Sequence, residues 1–217
     1  MSVKLAVFDC DGTLVDGQAS ICNAMDAAFA ACGQALPDRH QVRRIVGLSL
    51  PQAIRLLAPG ADGGLRQQID EAYRSAFRSA REAGRLVEPL YDGIAALLDD
   101  LRGHGWTLGV ATGKSDRGLA HCLAMHGLSG HFATLQTADR HPSKPHPAML
   151  EAAMAQALAD PALTVMIGDT TYDMEMAAAA GVRAIGVDWG YHTAQELRAA
   201  GAAAVALVPA QLLELLA

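Results

Sequence analysis

Short, nearly continuously apolar segments alternate with helical patterns through most of this chain, and that alternation restricts its fold more than any other property. The apolar segments cover 3–8, 107–112, 132–137, 164–168 and 184–189. Each is rich in β-branched residues and lacks the polar/apolar alternation of a strand with one wet face, as expected of parallel strands covered on both sides. Helical patterns at 93–103, 116–126, 147–159 and 172–180 separate the last four. The reading is an α/β fold with a doubly wound parallel sheet.

One interval breaks the rhythm. Between the first and second strand segments no strand pattern occurs, and helical patterns at 18–31, 38–45, 50–57 and 65–83 fill the space, interrupted by Gly33, Pro37, Pro59-Gly60 and Gly63-Gly64. Such breaks are ordinary helix stops. The expectation is an all-helical cap at 16–85, inserted into a core built from 1–15 and 86–217. Within the cap, Ser49 and Gln52 have the spacing of a capping box.

Composition narrows the function classes. The 217 residues are 51% hydrophobic and 18% charged, enough apolar content to bury a core and to exclude a disordered chain. Seventeen Lys and Arg against 23 Asp and Glu leave a formal charge of -6, which argues against broad attraction to nucleic acid or an anionic membrane. The apolar run at 5–8 is too short for the core of an export signal, and the uncharged stretch 199–213 is broken by Gly201 and Pro209. Cys10, Cys22, Cys32 and Cys122 have neither zinc nor redox spacing and read as incidental thiols. A cytoplasmic protein, monomer or homodimer, is expected.

In an open parallel sheet the ligand site lies beyond the carboxyl ends of the strands. The residues found there are Asp9-Cys10-Asp11-Gly12-Thr13-Leu14, Thr112-Gly113-Lys114, and Gly168-Asp169 followed by Asp173; Lys144 comes after the third strand. Two carboxylates as close as Asp9 and Asp11 repel unless a cation or proton lies between them. With Asp169 they offer a set of oxygens suited to a hard cation, Mg²⁺ above all. The Thr112 hydroxyl and the amides after it, including that of Gly113, can hold an anion at a helix start, and Lys144 adds a compact positive charge. A metal, a lysine, a hydroxyl and a helix start around a carboxylate describe phosphoryl transfer. Asp9 could attack phosphorus, and Asp11 could protonate the leaving alcohol and later activate water.

At these residues the sequence resembles the haloacid dehalogenase-like hydrolase superfamily, most closely its phosphoglycolate phosphatase-like branch with a helical cap. The resemblance covers nearly the whole chain and rests on Asp9 to Leu14, Thr112-Gly113, Lys144-Pro145-His146-Pro147, Gly168-Asp169 with Asp173, and the runs 180–182 and 187–191. It implies Asp9 as nucleophile, Asp11 as acid/base, and Thr112, Gly113 and Lys144 as phosphate binders. Asp9, Asp169 and the Asp11 carbonyl would ligate Mg²⁺, with Asp173 orienting Lys144 or a metal-bound water from behind. The substrate implied is a small phosphorylated metabolite, 2-phosphoglycolate first. Asp11 further separates the chain from dehalogenases and phosphonate-cleaving members, which carry no aspartate there. The absence of histidine from 17–25 disfavours a mutase.

Other readings use the same residues differently: a pyrophosphatase, a broad sugar-phosphate phosphatase, a phosphomutase, or a receiver domain that merely accepts a phosphoryl group. The receiver reading leaves Asp11 and the helical insert without a use. Lys114 reads as solvated, with a secondary claim on phosphate. Arg43 and Arg44 read as a solvated basic face, with a lesser claim on a substrate carboxylate. His121, His126 and His131 read as surface residues, His141 and His146 as loop histidines, and Trp106 and Trp189 as packing residues.

Overall fold

The computed structural model describes residues 2–216. Six strands, β1 (Lys4–Phe8), β2 (Trp106–Thr112), β3 (Thr134–Thr137), β4 (Thr164–Gly168), β5 (Arg183–Val187) and β6 (Ala204–Ala206), form one sheet in the order β3-β2-β1-β4-β5-β6. Every pairing is parallel. Neighbouring residues along a strand face opposite sides, and the chain fills both. Ala6, Phe8, Val110 and Ile167 join one apolar cluster, whereas Leu5, Val7, Ala111 and Met166 join the other. Continuous apolarity in the sequence thus corresponds to a sheet buried on both faces.

Helices cover those faces. On the first side α5 (Ile94–Gly103) buries Ile94, Leu97, Leu98 and Leu101, the i, i+3, i+4, i+7 stripe of an amphipathic helix, beside α6 (Asp116–Met125) and α10 (Gln211–Leu216). On the second side lie α7 (Ala148–Ala157), α8 (Thr171–Ala179) and α9 (Ala194–Ala199). Phe8 pairs in register with Val110 on β2 and Ile167 on β4, so these strands end near one level. Chain order reverses between β1 and β4, and such a switch point opens a crevice at the carboxyl edge. Asp9 and Asp169 border that crevice.

The interval between β1 and β2 contains α1 (Gln18–Ala31), α2 (Arg39–Arg44), α3 (Leu50–Leu57) and α4 (Gly63–Glu82). They gather a separate apolar cluster, including Ile21, Met25, Phe29, Val42, Ile54 and Ile69. Among the described residues no helix is long and apolar enough to cross a membrane.

Two local expectations are corrected, and three elements are added. The third strand begins at Thr134, two residues later than its apolar pattern, because Phe132 packs on the core from the preceding turn. The strand β6 and helices α9 and α10 lie in a region whose small residues give no strong periodicity. Ser49 does not form the capping box with Gln52: its side chain makes no cap hydrogen bond, and its backbone N–H donates instead to Ser143 Oγ at 2.8 Å.

Candidate active site

Asp9 stands one residue beyond β1, its N–H bonded to Ile167 O on β4 at 2.9 Å. Its Oδ1 accepts from the Cys10 N–H at 2.6 Å and lies 2.9 Å from Lys144 Nζ. The same ammonium donates to Asp173 Oδ1 at 2.6 Å, and Asp173 Oδ2 accepts from the Thr170 N–H and hydroxyl in the first turn of α8. Asp9, Lys144 and Asp173 are all buried. Burial alone would favour a neutral Lys144, but Asp173 and Asp9 outweigh it and raise its pKa. Burial likewise raises the Asp9 carboxyl, against the pull of Lys144, up to about 7.

Asp169, at the end of β4, is fixed by the Thr13 hydroxyl at 2.8 Å and the Tyr191 N–H at 3.0 Å. Burial, with Asp9 and Asp173 nearby, pushes its pKa well above the usual carboxylate range. Donor atoms of Asp9, Asp169 and Asp173 lie within 4.8 Å of one another. Asp9 Oδ2 is buried without a hydrogen-bond partner. An all-oxygen cluster with a buried unpaired carboxylate oxygen fits a hard divalent cation, which would relieve the crowding of like charge. Gly12 holds a left-handed backbone (φ +85°), where an added Cβ would collide with the Asp169 carboxylate. The turn that follows Asp9 therefore needs glycine at this position.

Asp11 Oδ1 lies 3.0 Å from Lys114 Nζ, and Lys114 also pairs with Glu88 at 2.6 Å. This corrects the reading of Lys114 as solvated: its side chain is only 8% exposed and holds Asp11 in place. Burial raises the Asp11 pKa, with Lys114 opposing and Glu88 adding to the rise. Thr112 is buried at the end of β2, and its Oγ1 accepts from the Lys114 N–H at 3.2 Å. Ser115 caps α6 by accepting from the Gly118 N–H, so its hydroxyl has a structural task.

A loop of the helical insert closes over these residues. At Gly113 a Cβ would come 2.7 Å from Gly47 O, so insert and core backbones meet there. Gly47 itself is left-handed (φ +96°), and a Cβ on it would lie 3.6 Å from Asp9 Oδ2. Arg44 forms a two-pronged pair with Glu196 of α9, at 3.0 and 2.7 Å. Arg43 instead donates to Gln18 at 2.9 Å. Neither residue belongs to a merely solvated basic face, and Arg44 is committed to the core. The Arg44 carbonyl accepts from His192 Nε2 at 3.0 Å and from the Tyr172 hydroxyl at 3.3 Å. His192 Nδ1 accepts from the Thr171 N–H, which puts the ring proton on Nε2.

The structure thus brings Asp9, Lys144, Asp169 and Asp173 together, sets Asp11 beside them on Lys114, and places Thr112 and Gly113 at the edge of β2. Sequence reasoning missed Glu88, His192 and Glu196, and it gave no role to Tyr191, which ends the family-like run 187–191. Only Glu196 had a readable signal, the Thr193-x-x-Glu196 capping spacing, and that box forms. His126 is half-buried and bonded to Glu88 O at 2.8 Å, not simply a surface residue. Trp189 packs against the core and also donates to Thr13 O at 3.1 Å, bracing the loop after Asp9. His141 and His146 make local bonds to Gln136 and the Ala148 N–H. The four thiols are free.

A buried carboxylate oriented by an ammonium and a backbone N–H, with a second carboxyl beside it and an oxygen cluster behind, suits acceptance of a transferable phosphoryl group. The chain is similar to several known proteins. A probable phosphatase, IndB, from Dickeya dadantii is 40% identical over 90% of this chain and 86% of its own length. A protein named tyrosine-protein kinase PtkA from Mycobacterium tuberculosis is 34% identical, over 88% of this chain but 64% of its own length. A phosphoglycolate phosphatase from Vibrio vulnificus is 29% identical over 98% of this chain and 95% of its own. A haloacid dehalogenase-like hydrolase structure from Bacteroides fragilis superposes with a TM-score of 0.88 at 24% identity, covering 97% of this chain and all of that one. The family model described as haloacid dehalogenase-like hydrolase matches residues 6–187, and the chain belongs to that family.

Proposed function

We propose that this protein is a Mg²⁺-dependent phosphatase that hydrolyses a small phosphate monoester through an aspartyl-phosphate on Asp9. The observation that carries the reading is the asymmetry of the Asp9 carboxylate: Oδ1 is held by Lys144 and the Cys10 N–H, while buried Oδ2 has no partner. A carboxylate held on one side and open on the other is prepared to act on phosphorus or on a cation. Asp9 and Asp169, with the Asp11 carbonyl, would hold Mg²⁺, which supplies charge stabilisation to the transferring phosphoryl group. Asp173 acts from behind by fixing Lys144.

The first step forms an Asp9 oxygen–phosphorus bond and breaks the ester bond, with the Asp11 carboxyl giving its proton to the departing alkoxide. In the second, the Asp11 carboxylate takes a proton from water as the water oxygen attacks phosphorus; the bond to Asp9 breaks and phosphate leaves. Lys144, the Thr112 hydroxyl and the Gly113 N–H hold the non-bridging oxygens. The helices at 16–85 act as a cap on a core formed by 1–15 and 86–217, excluding bulk water while the bond to Asp9 exists. The free thiols suit the reducing cytoplasm. Phosphoglycolate, the substrate in the Vibrio relative's name, is the reference member of the substrate class.

The test is phosphate release with Mg²⁺ from 2-phosphoglycolate, pyrophosphate, sugar phosphates and nucleotides. Catalytic release from at least one monoester, lost on chelation and restored by added Mg²⁺, is expected. A stable phosphoprotein with no released phosphate would instead support the receiver reading.

A further inference from the structure

A cavity of about 380 Å³ starts at Asp11, Gly113 and Lys114 and runs outward between the helical insert and α6. Its insert wall is apolar, with Met25, Val46, Leu48, Tyr73 and Phe77 among the lining residues. Tyr73 and Phe77 stand ring to ring, 5.3 Å between centroids. Arg74, Arg78 and Arg81 line the same cavity from α4, and Arg117 faces them from α6. Positions 74, 78 and 81 repeat at i, i+4 and i+7, a single helical face spanning about 10 Å. Arg74 is tied to Asp70. Among the described residues Arg78, Arg81 and Arg117 enter no ion pair within 4 Å, and Arg81 Nε is buried without a partner. The acid on this rim, Asp139, is engaged by the Asp116 N–H at 2.8 Å.

We propose that the preferred substrate carries an apolar body between its phosphate and a second anionic group, carboxylate or phosphate, which Arg78, Arg81 and Arg117 receive. The inference rests on the phosphatase reading, because Asp11 as the acid fixes the side on which the leaving group departs. The cavity opens on that side. The glycolate of phosphoglycolate has no apolar body to meet Met25, Val46 and Phe77. A rigid spacer of aromatic size meets the apolar wall and delivers its charge to the arginines, whose guanidinium groups favour paired anion oxygens.

Four probes test this: para-carboxyphenyl phosphate, its neutral isostere para-carbamoylphenyl phosphate, phenylene bisphosphate and 2-phosphoglycolate. The charged aryl probes should exceed the neutral one by about 10- to 100-fold in kcat/KM, the range of a charge-assisted hydrogen-bonded pair. Both should also exceed phosphoglycolate. In the double variant Arg78→Gln with Arg117→Gln, and separately in Arg81→Gln, the charged-to-neutral ratio should fall toward one through KM. A preference for only one of the charged probes identifies the anion received. A wild-type ratio near one, a ratio that survives both variants, or faster turnover of phosphoglycolate than of either charged probe overturns the inference and leaves the phosphatase reading intact. Release from none of the four or the other monoesters overturns both.

Discussion

The buried cluster around Asp9 and the seam between the helical insert and the core use similar groups under opposite conditions. Around Asp9, Lys144 lies between two carboxylates at 2.9 and 2.6 Å with no side-chain exposure. At the seam, Arg44 and Glu196 meet at 2.7 Å but remain 32% and 39% exposed. A buried ion pair contributes by geometry and is costly to break from one side, whereas a half-exposed pair is screened and weak. Rigid support therefore belongs to the buried cluster around Asp9, and the seam is held by a weaker, half-exposed pair.

This contrast is tested most severely at Lys144. The change Lys144→Met should lower stability by about 3–5 kcal/mol, because Asp9 and Asp173 would remain buried with like charge. Phosphate release should fall by at least about 100-fold through loss of transition-state stabilisation. Denaturant melts and single-turnover assays check the two effects, and a variant close to wild type in both would break the contrast. Replacing Lys144 with arginine should not restore release, since the ammonium fits between two carboxylates where a planar fork does not.

Gly47→Ala probes the place where the two regions meet. Its left-handed backbone should cost about 1–2 kcal/mol on gaining a Cβ, which would also lie 3.6 Å from Asp9 Oδ2. Release should drop severalfold while the core's melting transition shifts only modestly. Unaltered kinetics would show that the insert loop does not sit above Asp9 during turnover.

The smallest effect is expected at the seam. A double-mutant cycle on Arg44→Gln and Glu196→Gln should give a coupling within about 1 kcal/mol. The Thr193 N–H, then the Arg44 guanidinium, hold the Glu196 carboxyl down at about 2, against an ordinary value of 4.5. Its contribution should thus be fully present above the ordinary value and fade as pH falls toward 2. Stability measured across that window in wild type and Glu196→Gln checks the sign. A coupling of several kcal/mol would make the seam as rigid as the cluster and remove the contrast.

The same division explains what could be read in the sequence. Asp9, Thr112 and Asp169 are legible because strand ends are marked by apolar runs, and chemistry at the edge of a parallel sheet follows from topology. Lys144 and Asp173 are legible from charge and position, and their pairing is one of the two arrangements that the family resemblance implies for Asp173. Lys114 was misread, since its partners, Asp11 and Glu88, come from separate loops and Glu88 has no local pattern. The fate of Arg44 depended on α9, a short helix in an alanine-rich region whose periodicity is faint. Contacts made across folded elements by half-exposed charged residues leave little trace in spacing or hydropathy.

The central claim is that Asp9 carries the phosphoryl group. Acid-quenching the enzyme during turnover, reducing the trapped acyl phosphate with borohydride and mapping peptides by mass should convert residue 9, and no other aspartate, to homoserine. The variant Asp9→Asn should fold, yield no trapped species and release no phosphate. Conversion at Asp11 or Asp169, or turnover by Asp9→Asn above a trace of the wild-type rate, would contradict the account.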